Sequence, residues 1–286
     1  MEVQYYENIN EYIDLVFPFL LKNEAENNLL FSILNALKLN QTTYGDSKPI
    51  LIVVKQYDEI KLVALRTPPY NQLISYTDDL KTLDVLVKDL LKKSVNLPGI
   101  LGFKDGVQRF IKKYCENKGL VAKLTRNERG YKLLEVAKQT FGNKPLIVGE
   151  KSHQSLILKW AKEMILEAGL MTKAEQMDRT LNQTKKDITY GKIFLLLDNT
   201  IPVSMARIAG KTPNGGLINL VYSPPPFRRK GYATECVAKL SQRLLDEGNK
   251  FCFLFTDLAN PTSNRIYQKI GYLPIIDMDQ YIFLKK

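Results

Sequence analysis

The chain has 286 residues, 45% of them hydrophobic and 25% charged, with 41 Lys and Arg against 30 Asp and Glu. That is room for two ordinary domains or one large one, in a composition normal for a soluble globular protein. No run approaches the ~18 apolar residues that span a bilayer, which excludes a transmembrane helix.

The net charge of +11 is unevenly placed. Residues 1–143 carry 20 basic against 17 acidic side chains, and residues 144–286 carry 21 against 13. The excess therefore lies in the second half, where it can steer an anion. No basic run with interleaved aromatics accompanies it, so no nucleic-acid partner is expected. Met1-Glu2-Val3-Gln4 begins no basic-then-apolar leader, and three scattered cysteines, Cys115, Cys236 and Cys252, read as buried reduced thiols. Both features predict a cytoplasmic protein without a membrane partner.

In chain order, Glu11–Leu21 and Glu24–Leu39 have helical periodicity. Ile50–Lys55 and Lys61–Arg66 read as a hairpin about Tyr57-Asp58-Glu59, and Gln72–Tyr76 as a third strand. Leu80–Lys93 and Lys104–Asn117 are helices separated by the breaker Leu97-Pro98-Gly99. Leu120–Thr125 and Tyr131–Ala137 read as two strands, and Thr140–Pro145 as the boundary between halves. His153–Glu167 and Lys173–Asp187 follow as helices, then a hairpin of Tyr190–Leu197 and Val203–Ala209 about Asp198-Asn199-Thr200. Each half thus offers helices, a hairpin with an acidic turn, a third strand and a helix. We expect a degenerate tandem repeat, 1–143 and 144–286.

The second half carries the chemistry. Leu217–Tyr222 is a buried strand stopped by Pro224-Pro225-Pro226, which cannot continue a ladder. A basic loop, Arg228-Arg229-Lys230-Gly231, then opens into a helix over Ala233–Glu247. Free N–H groups at a helix start, the positive end of its dipole and three cations make an anion site, and the loop length suits a pyrophosphate. Further on, Phe251–Phe255 is a continuous apolar strand. Asn260 or Thr262 can cap the next helix, Asn264 and Tyr267 share one of its faces, and Gly271 suits its C-cap.

Arg228-x-x-Gly231-x-Ala233, followed by Asn260-Pro-Thr-Ser-Asn-Arg-Ile-Tyr-Gln-Lys-Ile-Gly-Tyr272, resembles the two motifs of the GNAT superfamily of acyl-CoA N-acyltransferases. With the strand that precedes the first motif, from Asn219, the pair covers about 55 residues. The resemblance implies an α+β fold, a mixed, mostly antiparallel sheet flanked by helices, with two GNAT-like halves in tandem. It implies acetyl-CoA as acyl donor to a primary amine, by direct attack. Arg228, Arg229, Lys230, Gly231, Tyr232, Ala233 and Thr234 would hold the pyrophosphate. Val221, Tyr222 and Ser223 would pair with the pantetheine and thioester, Asn260 and Asn264 would bind the arm, and Tyr267 would protonate the leaving thiolate. A sensor that binds acyl-CoA without turnover shares all of these residues except the acid.

In the first half nothing matches Arg-x-x-Gly-x-Ala, and Lys104-Asp-Gly-Val-Gln108 comes nearest. That half is therefore expected to have lost the cofactor site, to shape the acceptor cleft and to mediate assembly, for which a homodimer is compatible. His153, the one histidine, is expected to be a surface or capping residue. With it alone and scattered cysteines, no zinc-type cluster and no Ser-His-Asp triad is expected. Glu150, Asp198 and Asp257 are acidic, but no spacing selects one as general base. A small-molecule or peptide amine is the expected acceptor. Antibiotic, polyamine, amino acid and protein N-terminus all remain open.

Overall fold

The computed structural model describes residues 1–169 and 174–286, so Lys173, predicted to start a helix, lies outside the described residues. The chain forms two compact units. The first is built from residues 1–130, 256–259 and 274–286, and the second from residues 131–255 and 260–273.

The first unit runs β1 (Glu2–Tyr6), α1 (Ile9–Leu21), α2 (Asn28–Leu39), β2 (Ile50–Gln56), β3 (Glu59–Arg66), β4 (Gln72–Ile74), α3 (Lys81–Lys92), β5 (Gly99–Phe103), α4 (Lys104–Lys118) and β6 (Leu120–Leu133). The chain then repeats the order with β7 (Leu146–Val148), α5 (Gln154–Glu167), α6 (Ala174–Thr189), β8 (Ile193–Asp198), β9 (Ile201–Lys211), β10 (Gly215–Tyr222), α7 (Tyr232–Asp246), β11 (Phe251–Asp257), α8 (Pro261–Ile270) and β12 (Leu273–Lys285). In both stretches the last strand of a four-stranded meander, β1–β4 and β7–β10, leads through a helix to a parallel neighbour. The order of elements is the same in the two stretches, while the compact units divide at 130/131 and not at 143/144.

The last strands break the symmetry. Met278–Ile282 of β12 pairs antiparallel with Gly99–Phe103 of β5, so the C-terminal strand of the second copy completes the sheet of the first unit. Tyr131 and Leu133, at the end of β6, pack in turn into the core of the second unit.

Covering both faces explains the apolar runs. In β2, Leu51 and Val53 face the α1–α2 core, and Ile52 and Val54, equally buried, face the other way. In the second unit Phe194, Leu196, Val203 and Ile218 pack on the α7 side, while Ile193, Leu195, Met205 and Leu220 pack on the α5 side.

Several elements differ from expectation for identifiable reasons. Residues 120–133 form one strand, not two, because the polar middle finds partners within the sheet. Arg129 makes a two-pronged ion pair with Asp277 at 2.7 and 2.9 Å, and Asn127 donates to Asp279. β5 reads as breaker sequence because of its glycines. A Cβ at Gly99 would lie 2.1 Å from the Tyr281 carbonyl oxygen, and one at Gly102 would lie 2.3 Å from Ile74. Edge strands β1 and β7, and β12, gave no usable alternation.

All three cysteines are free and buried. Burial pushes the Cys236 and Cys252 thiols up to about 12, which removes the thiolate needed for attack. At pH 8 the native protein should therefore react slowly with a disulfide reagent at these two positions, and at a normal free-thiol rate once unfolded in guanidinium. Fast reaction of either in the native state would contradict their burial. Among the described residues no helix is long and apolar enough to cross a membrane, and no group of three His, Cys, Asp or Glu could hold a metal ion.

Candidate functional site

β10 pairs with β11 over only three residues, Gly215–Leu217 against Phe251–Phe253. Beyond Leu217 the edge of β10 facing β11 is unpaired. On its other edge β10 slips register against β9 between Asn219 and Tyr222, where Leu220 takes φ 50. A leucine in that region is costly, and the bulge turns the strand end away from its parallel neighbour. A buried ion pair sits at the last residue in register. Arg207 bonds Asp187 at 3.0 Å and Asn219 at 2.8 Å, fixing the strand just before it bends.

The loop after β10 is a second anomaly in the backbone. Pro225–Phe227 makes one 3-10 turn in which the amides of Phe227 and Arg228 bond Pro224 and Pro225. Arg229 (φ 61) and Gly231 (φ 80) are then left-handed, and α7 begins at Tyr232 without a side-chain cap. The first helical bond is Glu235 N–H to Gly231 O. Among the described residues nothing accepts from the N–H groups of Arg229 through Thr234. These amides, with exposed Arg229 and Lys230, form an open anion cradle at a helix N-terminus. The open amides thus begin one residue later than expected, since the Arg228 amide is already bonded to Pro225.

Arg228 is placed differently from Arg229 and Lys230. Its Nε donates to the Ser223 carbonyl at 2.9 Å and its terminal nitrogen to Glu167 Oε2 at 2.5 Å, while the guanidinium lies 5.5 Å from the Tyr222 ring centre. Tyr222 is buried, and its hydroxyl donates to Glu167 Oε1 at 2.8 Å. Burial first, then Glu167, holds that phenol above its usual pKa. Ser223 donates to Ser204 at 3.0 Å, and Ser204 to the Tyr222 carbonyl at 3.2 Å. Val221, half-buried, lies beyond the three-residue pairing with β11.

On α8, Asn260 caps the helix by accepting from Ser263 N–H at 3.0 Å, and Gly271 ends it at φ 110. Asn264 donates to the Asn260 carbonyl at 2.7 Å and accepts from the Tyr131 hydroxyl at 2.7 Å. Tyr267 stands between two rings, 6.2 Å from Tyr131 and 6.0 Å from Tyr272. Its side chain is 7% exposed, and its hydroxyl has no hydrogen-bond partner among the described residues. Yet no sealed, unbonded polar side-chain atom occurs among them, so that hydroxyl reaches a solvent-accessible space. Burial raises its pKa. Tyr272, by contrast, is buried and bonds Ser241 at 2.9 Å.

Of the acidic candidates, Glu150 makes a reciprocal cap with His153, which agrees with a capping role for the one histidine. Asp198 accepts from Tyr232 and lies 3.7 Å from Lys144. Glu167, Ser204 and Tyr131 are the neighbours that sequence reasoning missed. Each has an ordinary sequence context, a polar residue on a helix face or strand, and only the packing brings it in.

The first unit repeats the topology with different chemistry. There β4 and β5 also pair over just two residues, Gln72–Leu73 against Ile100–Leu101. The gap beyond is filled, because the Tyr76 and Phe103 rings meet at 5.4 Å. The Tyr76 amide is taken by Asn27, and the first-turn amide of Lys81 by Asp79. The segment matching the phosphate loop is therefore Ser75–Lys81, not Lys104–Gln108, which begins α4. Counted from the helix start, Val107 and Phe110 stand where α8 has Asn264 and Tyr267.

A family profile described as FR47-like protein matches residues 204–282, which contain both motifs. Among curated proteins none matches the sequence. Solved structures do match over nearly the whole chain. One is a GNAT-family acetyltransferase from Colwellia psychrerythraea, with TM-score 0.59 and 9% identity over 99% of this chain and 100% of that one. A GCN5-related N-acetyltransferase from Sphaerobacter thermophilus gives TM-score 0.58 and 12% identity, covering 98% and 94%. A Drosophila protein with no stated activity gives TM-score 0.61 and 11% identity, covering 99% and 98%. The fold is that of the GNAT acetyltransferases, as the motifs implied.

Proposed function

We propose that the protein is an N-acetyltransferase that moves the acetyl group of acetyl-CoA to a primary amine, using the second unit. The observation that carries the reading is the run of unbonded amides from Arg229 to Thr234 beside a strand edge left unpaired past Leu217. A diphosphate fits the first and an extended amide-bearing arm fits the second. Acetyl-CoA supplies an activated acyl group with a thiol leaving group.

The chain's own residues bind, orient and hold a proton. Arg229, Lys230, Gly231, Tyr232, Ala233 and Thr234 hold the diphosphate through main-chain hydrogens and two charges. Val221 and Ser223 offer backbone groups to the arm, and Asn260 and Asn264 border it. The Tyr267 phenol keeps its proton throughout the neutral range and delivers it to the departing sulfur. The amine attacks the acyl carbon directly, the C–S bond breaks, the sulfur takes the Tyr267 proton, and the proton shed by the amine passes to solvent.

The test is thiol release from acetyl-CoA across a panel of amines: amino acids, polyamines, aminoglycosides and peptides. Release with at least one supports the enzyme reading. Tight binding with none would favour a cofactor sensor. The filled gap and capped helix of the first unit also set a stoichiometry, one coenzyme A per chain by titration calorimetry. Two equivalent sites would contradict the assignment of the first unit as a cofactor-free copy.

A further inference from the structure

Arg228 is the charged residue of the basic loop that a phosphate would be expected to meet first, but its guanidinium is turned away from the cradle. Three acceptors hold it there. They are Glu167 on α5, the Ser223 carbonyl at the end of β10, and the Tyr222 ring face. Glu167 is shared, one oxygen for Arg228 and the other for the Tyr222 hydroxyl. Glu163, one turn earlier, adds a longer contact to Tyr222 at 3.3 Å. The Arg228 amide is also used, within the 3-10 turn.

We infer that Glu167, Tyr222 and Arg228 form a clamp that sets the spacing between the strand end and the anion cradle, with Arg228 a positioning residue and not a phosphate ligand. This rests on the proposed coenzyme A site. The physical reason is geometric. The arm-binding edge of β10 and the diphosphate loop must be held at one separation to grip both parts of the same molecule. Between them lie Ser223 and a proline-rich turn, which fix direction but not distance. A planar guanidinium, reaching back from the loop to the Ser223 carbonyl and across to α5, closes that span in a way a flexible ammonium cannot. Glu167 anchors it and simultaneously fixes the Tyr222 ring.

The two roles predict opposite results for one substitution. If Arg228 were a phosphate ligand, Glu167 would compete for it, and Glu167→Gln would tighten coenzyme A binding or leave it unchanged. As a clamp anchor, Glu167→Gln should weaken binding about tenfold, the scale of a lost charged hydrogen bond. Arg228→Gln should weaken it similarly, and the double variant no further, since both break one unit. Arg228→Lys, which keeps the charge and loses the fork, should behave like Arg228→Gln. The slope of affinity against salt should stay that of the wild type in all three single variants, because no phosphate-contacting charge is removed.

In turnover, the KM for acetyl-CoA should rise with kcat little changed, which a merely destabilised fold would not produce. Tighter or unchanged binding in Glu167→Gln, or rescue by Arg228→Lys with a reduced salt slope in Arg228→Gln, would overturn the clamp and leave the coenzyme A site standing. If the wild-type chain binds no coenzyme A at all, both readings fall together.

Discussion

Replacing Tyr267 by Phe should lower kcat about a hundredfold or more while leaving the KM for acetyl-CoA nearly unchanged. The phenol is a buried polar tip with no hydrogen-bond partner among the described residues, and it reaches a solvent-accessible space. Removing the oxygen therefore breaks no internal bond and opens no cavity. Stability should stay within about 0.5 kcal/mol of wild type, as for substitutions that disturb no packing or network. What is lost is proton delivery to the leaving sulfur, an effect of about 10²–10⁴ in rate for a positioned general acid. Equal loss in kcat and kcat/KM is the signature of an interaction made only in the transition state.

The sign of the pH dependence follows from the same burial. The phenol is shifted upward, so it stays protonated past the pH where a free tyrosine would ionise. Wild-type rate should therefore show no alkaline decline from this group up to about pH 10. A wild-type decline near pH 9 that vanished in Tyr267→Phe would mean the tyrosine is not held in its buried form. Full activity in the variant would remove it from the chemistry altogether.

The candidate site in the second half was legible because its residues are local in sequence. A strand, a proline stop, a basic glycine loop and a helix are contiguous, and Asn260, Asn264 and Tyr267 share one helix whose caps are written at Asn260 and Gly271. What was not legible depends on long-range partners. Nothing in Arg126-Asn-Glu-Arg129 says strand until Asp277 and Asp279, some 150 residues away, take up its polar groups. Gly99 and Gly102 read as breakers because the close strand approach that demands them is invisible in sequence.

The recurring order of elements was readable, but the placement of the final strands was not, since a terminal strand pairs equally well by pattern with either sheet. Arg228 shows the limit most clearly. A motif fixes that an arginine is there, and only the carboxylate on α5 fixes where it points. The segment of the first unit that matches the phosphate loop likewise differs through its partners. Asp79 and Asn27 occupy the amides, and an aromatic pair occupies the gap.

Gly231→Val should abolish coenzyme A binding, with affinity falling at least about a hundredfold and thermal stability only slightly. Space is not the constraint, because a Cβ at Gly231 would meet nothing within 4 Å. Conformation is. At φ 80 a β-branched residue is strained by about 1–2 kcal/mol, and relief requires rotating the backbone toward negative φ. That rotation changes how the Gly231 amide lies relative to those of Tyr232, Ala233 and Thr234. A diphosphate would then lose several charge-assisted bonds at once, each worth about 1.5–3 kcal/mol. Gly231→Ala, less strained, should fall between wild type and Val. Calorimetry of the three proteins with coenzyme A, beside their unfolding curves, separates a loop that has turned from a fold that has failed. Undiminished binding in a folded Val variant would show that the anion sits elsewhere, and the assignment of residues 229–234 would be withdrawn.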